Sequence, residues 1–188
     1  MMKLQFKTVT ALAAASALAA CSHMTPRYGM SPANIEAIHQ AAGATPQKVS
    51  VGDFTAWQPN VSSFICRAAG GVGTPDREPF ATYIQHALVD ELKVGGVYAS
   101  DSPVRIDGRL DHIDFNSNIG AGKWQIDLTV TGPASGAVVL HETYEFSTNF
   151  VADRACEQVA AALQPSVQDL LGKLYASPGF KSMVSGNK

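Results

Sequence analysis

The chain has no Gly-Lys-Ser/Thr loop, no Cys-x-x-Cys, no Gly-x-Ser-x-Gly and no histidine cluster at ligand spacing. These absences remove the usual sequence grounds for a phosphate-binding loop, dithiol redox chemistry, a serine nucleophile elbow and a zinc site. No apolar run reaches the roughly 20 residues that a membrane-spanning helix takes. Charge is sparse and lightly acidic, with 14 Lys and Arg against 16 Asp and Glu. A nucleic-acid partner, which needs a basic patch or stripe, is therefore not expected.

What is present begins at the N-terminus. Lys3 and Lys7 precede an uncharged apolar run from Val9 to Ala20, and Leu18-Ala19-Ala20 lead into Cys21. A charged start, a short apolar stretch and small residues make an export signal, not a fold element. The pattern resembles the bacterial lipobox, in which cleavage before the cysteine is coupled to attachment of a diacylglyceryl group and an N-acyl chain. That resemblance makes residues 1–20 a signal peptide and Cys21 the lipidated N-terminus, membrane-bound through its acyl chains. A plain secretory peptide cut after Ala20 is the alternative. Removing 1–20 deletes two basic residues and leaves 12 against 16 acidic, so lipid, not charge, must do the anchoring.

With Cys21 assigned to lipid, Cys66 and Cys156 remain as a pair. In an oxidising compartment two such cysteines are expected to form a disulfide. A thiolate role is the alternative, with no neighbouring histidine to favour it.

Residues 21–47 carry Pro26, Pro32, Gly43 and Pro46 among small polar residues and read as a flexible tether. A short helix over Ala33–Ala42, capped by Ser31 with Pro32 in its first turn, is the one element expected there. A single domain is expected over 48–180, with 181–188 frayed. Val49, Val51 and Phe54 suggest a first strand, and 59–76 a long loop holding Cys66 and Gly70-Gly71-Val72-Gly73. The helical spacing of Phe80, Ile84, Ala87, Leu88 and Leu92 predicts a helix over 75–92. Val104, Ile106, Gly108 and Leu110 alternate, and the register then slips to Ile113 and Phe115, which predicts a β-bulge near Asp111-His112. Trp124, Ile126, Leu128 and Val130 make the cleanest strand, and the 132–136 turn leads to a last one over 138–147. One apolar stripe from Ala152 to Leu174 continues across Pro165 and predicts a single long, kinked helix. The expected class is α+β: a mostly antiparallel sheet of about four to five strands with two helices packed on one face.

Chemistry-bearing residues are scattered. His86 with Asp90, and His112 with Asp114, are the pairs that spacing allows; Asp107, Arg109, Asp111, Asp114 and Asp127 form a charged run on the strands. Paired carboxylates could serve a glycosidase, but alternation with apolar residues favours the wet face of a sheet. No catalytic residue, metal site or cofactor is expected.

Phe80-x-x-Tyr83, Ala87-Leu88-x-x-Glu91-Leu92, Asp107-Gly108-Arg109-Leu110 and Pro165-Ser166-Val167-Gln168, set in this order of elements behind a lipobox, resemble small Gram-negative envelope lipoproteins. These are the YajG type, the PqiC-type auxiliary lipoproteins of ABC transport and, more distantly, LptE. The resemblance implies a domain that binds or braces an envelope protein partner and performs no known chemistry. Ser22 after the lipidated cysteine implies, by likeness to the enterobacterial sorting rule, the outer membrane facing the periplasm. A periplasmic hydrolase and a purely structural lipoprotein are the rival readings.

Overall fold

The computed structural model describes residues 22–133 and 136–186. The expected signal peptide, Cys21 and part of the 132–136 turn lie outside the described residues. The elements are β1 (Ser22–Met24), α1 (Pro32–Ala42), β2 (Ser50–Val51), β3 (Thr55–Ala56), β4 (Ser63–Ile65), β5 (Gly71–Gly73), α2 (Phe80–Val94), β6 (Arg105–Asn116), β7 (Gly122–Gly132), β8 (Gly136–Phe146), α3 (Ala152–Ala176) and α4 (Pro178–Val184).

The class is α+β, as the patterning implies. Its centre is the antiparallel meander β6-β7-β8, to whose outer side β2 and β3 add in parallel along β6. A second sheet has the order β1-β5-β4. The expected mostly antiparallel sheet of about four to five strands is the five-stranded main sheet, with β2 and β3 parallel to β6; beside it stand a second, three-stranded sheet and four α-helices in place of two among the described residues. The difference lies in strands of two or three residues, too short to show a period.

Alternation decides the main sheet. Trp124, Ile126, Leu128 and Val130 are fully buried while their neighbours on β7 are half exposed. The Trp124 indole completes its burial by donating to the Val159 carbonyl of α3 at 2.9 Å. On β8 a glutamate interrupts the apolar series: buried Glu142 pairs with Lys173 of α3 at 3.0 Å. The bulge falls as predicted. Leu110 faces Leu128 and His112 faces Asp127, so Asp111 is the extra residue and Ile113 and Phe115 turn to the covered side. Gly108 is there for contact, since a Cβ would come within 2.3 Å of the Phe54 ring.

The long helix runs unbroken through Pro165, with Val159, Leu163, Val167, Leu170, Leu171 and Leu174 fully buried. The first predicted helix is split. Pro75–Arg77 form a 3-10 turn and α2 starts at Phe80; Thr74, before the turn, hydrogen-bonds the Glu78 carbonyl from its hydroxyl.

Three expectations are corrected. The 22–47 stretch is built into the fold. β1 pairs with β5, Ser31 caps α1, and α1 buries Ile38, Ala41 and Ala42. The 59–76 loop contains β4 and β5, which pair antiparallel. The C-terminal residues from Lys181 through Gly186 do not fray, because Met183 and Val184 are buried and Gly186 donates to the Thr45 carbonyl at 2.9 Å. The N-terminal and C-terminal segments are fixed by partners far away in sequence, and β4 and β5 are three residues each, too short to show a period.

Candidate functional site

A cavity of about 300 Å³ opens where the chain leaves the edge of the main sheet. β3 pairs with β6 only at Arg109 and Leu110, and Trp57 makes a last backbone bond to the Leu110 carbonyl at 3.1 Å. From His112 to Asn116, no described strand pairs with β6 on that side. The bulge lies at the same point, so the strand bends where its edge becomes free.

The walls are apolar, with Val61, Phe64, Phe80, Leu110 and Ile113 lining the opening. Two of these wall residues, Phe64 and Phe80, join Phe115 and Trp124 in a cluster of four rings. Phe64 stacks on Phe80 at 5.2 Å between centroids, and Trp124 touches Phe80 at 6.0 Å and Phe115 at 5.0 Å. Trp57 stands at the rim, 82 % exposed. A large aromatic left in water beside an apolar hollow is the kind of surface that proteins keep for binding.

Asp111, His112 and Asp114 give the groove a polar side. Two of these groups have intramolecular partners. Asp111 receives the Thr129 hydroxyl at 2.6 Å and pairs with Arg109 at 2.8 Å, and Asp114 accepts the Phe115 N–H at 2.7 Å. Fixed carboxylates next to a free strand edge can hold a cation brought by a ligand.

The other singled-out residues are dispersed. His86 pairs with Glu78 at 3.0 Å, while Asp90, its expected partner, meets Lys93 at 3.4 Å. Asp107 pairs with Arg105 at 2.8 Å and Asp127 with His141, directly opposite on β8, at 2.9 Å. Cys66 and Cys156 are joined by a disulfide with a Cα separation of 5.9 Å. Among the described residues no three His, Cys, Asp or Glu side chains gather at metal-holding distance, and no helix is long and apolar enough to cross a membrane.

Sequence reading missed two features. Trp57 falls between the first expected strand and the 59–76 loop, and only its size hinted at a role. The second is a buried polar cluster around Glu91. Its carboxylate accepts the Tyr28 hydroxyl at 2.8 Å, the Ser31 N–H at 2.9 Å and the Asn34 amide at 3.1 Å. Burial, and then the Glu91 charge, push the Tyr28 and Tyr175 phenols far above their ordinary range; burial and then Glu78 do the same to Tyr83. Glu91 itself is fully buried, and the cluster holds the N-terminal segment against α2.

No family model matches the chain, and no curated protein matches it. Among solved structures, the chain is similar to protein XCC0632 from Xanthomonas campestris, described under the family model DUF330. The TM-score is 0.54 at 13 % identity, over 86 % of this chain and 96 % of that one. At that identity the likeness is one of fold.

Proposed function

We propose that this chain is a lipid-anchored binding or assembly module of the bacterial cell envelope, on the periplasmic face of the outer membrane. Its groove receives an extended segment of a protein partner. The observation that carries this reading is the free edge of β6 beside the apolar hollow under Trp57. An added strand would pair along the edge of β6 beyond Leu110, where no described strand lies, and place an apolar side chain against Phe64 and Ile113. Asp111 and Asp114 favour a segment that also carries Lys or Arg. The lipobox supports the anchor, and the fold shared with the DUF330 protein supports the architecture on which the resemblance to small envelope lipoproteins rests.

A library of dye-labelled, extended eight-residue peptides, read by fluorescence anisotropy of the dye, tests the groove. Peptides alternating apolar and basic residues should bind, and Trp57→Ala or Ile113→Asp should weaken them by tenfold or more, on the order of a lost interface anchor. Equal affinity in those variants would remove the groove from the function. The hydrolase reading draws on His112 between the two carboxylates. Turnover of glycan strands or phospholipids that disappears with His112→Ala or Asp114→Ala would put it in place of the binding module.

A further inference from the structure

Ser22, the first described residue, lies at the same end of the molecule as a group of exposed apolar side chains. Ser22 is opposite Gly71 on one side of β5, and Ile65 is opposite Gly71 on the other. The loop that follows Ile65 begins at Cys66, and the disulfide pins it to α3. Arg67 then ties three loops together. Its guanidinium donates to Ser117 Oγ at 3.1 Å in the β6-β7 loop and to the Asn149 carbonyl at 3.0 Å in the β8-α3 loop. Gly120 N–H also donates to the Thr148 carbonyl, closing the last two loops on each other. His23, next to Ser22, reaches Asp153 at the start of α3 at 3.4 Å.

On this stitched end stand Ile65, Ile119, Phe150 and Val151, exposed by 83, 65, 78 and 54 %. Arg67 and Ala68 hold positive φ angles of 45° and 53°, a conformation that non-glycine residues keep only where their surroundings fix it. The four side chains therefore sit on a braced platform, not on a loose loop.

The segment behind them has no slack. From Ser22 the chain is bonded to β5, Tyr83 donates to the Pro26 carbonyl, and Tyr28 and Ser31 are held by Glu91. Cys21 directly precedes Ser22 in the sequence. Acyl chains on Cys21 would bring the bilayer surface to this end.

We propose that the end face formed by Ile65, Ile119, Phe150 and Val151 is a membrane-docking surface, seated in the lipid interface beside the anchored Cys21, which fixes the orientation of the domain on the bilayer. It rests on the lipid-anchor reading and is independent of the groove. The occupant is a lipid surface because the attachment point adjoins the patch, and because apolar side chains beside an acyl anchor add to its hold on the interface.

The test uses the full chain, purified from envelopes and placed in phosphatidylethanolamine/phosphatidylglycerol vesicles with and without brominated acyl chains. Phe150→Trp, a change at an exposed site, adds an indole to the platform. Its added fluorescence should fall several-fold in brominated vesicles, while the wild-type emission of Trp57 and Trp124 changes little. Unquenched emission from that variant with acylated Cys21 would overturn the docking face. Mass spectrometry of the same sample reports the anchor separately. Quenching without acyl chains would keep the face and remove the anchor, and absence of both would remove the two together.

Discussion

Tyr28 donates its phenolic hydrogen to the buried carboxylate of Glu91, 63 residues further along the chain, at 2.8 Å. The bond turns a stretch that composition marks as a tether into part of the core. Asn34 extends the link, since its amide reaches both Glu91 and the Gln168 carbonyl of α3 at 2.9 Å. One carboxylate thereby joins the N-terminal segment, α1, α2 and, through Asn34, α3.

Glu91→Ala should cost about 3 kcal/mol or more, because it leaves several buried donors without an acceptor. Limited proteolysis should then open new cuts between residues 22 and 31, whereas Glu91→Gln, which keeps one acceptor oxygen, should cost clearly less. A wild-type urea midpoint in Glu91→Ala, with no new cleavage, would show that the segment is held by other contacts.

Alkaline pH should destabilise the fold. The phenols of Tyr28, Tyr83 and Tyr175 are raised, chiefly by burial, so the folded state keeps protons that the unfolded state gives up. Their contribution is complete below the unfolded value of about 10 and falls as pH rises beyond it, by about 1.4 kcal/mol per unit for each such group. Urea midpoints at pH 8 and 11 measure this, and Tyr28→Phe should flatten the fall. A midpoint that holds steady across the interval would count against it.

The Cys66–Cys156 bridge closes a separation of 90 residues. Its loss through Cys156→Ser should lower stability by about 2–5 kcal/mol. Peptide mapping without reduction should recover the pair as one cross-linked species. Free thiols at both positions in protein isolated from the envelope would contradict it.

Core and strand surface should respond differently. Leu170→Ala, in a fully buried site of α3, should cost about 2–5 kcal/mol. Asp107→Ala combined with Asp127→Ala removes only two largely solvent-exposed ion pairs and should cost about 1 kcal/mol or less in total. Comparable losses in thermal or urea denaturation would mean that the strand surface carries structure.

The long elements were legible because their own side chains bury them. The alternation of Trp124 through Val130, the slip at Asp111 and the stripe across Pro165 each present enough residues to show a period, and the structure follows all three. The cysteine pairing was legible by elimination. The small second sheet was not, since β1, β4 and β5 span three residues each and exist only because they meet. His112 and Asp114 were read as a wet strand face; the path of Trp57 and the placing of Phe64 turn that face into one side of a groove. The resemblance to a lipobox and the periodic elements belong to the sequence alone, because local order suffices to write them. Packing decided the fixed N-terminal segment, the groove and the apolar end around Arg67, since each depends on contacts between residues tens of positions apart.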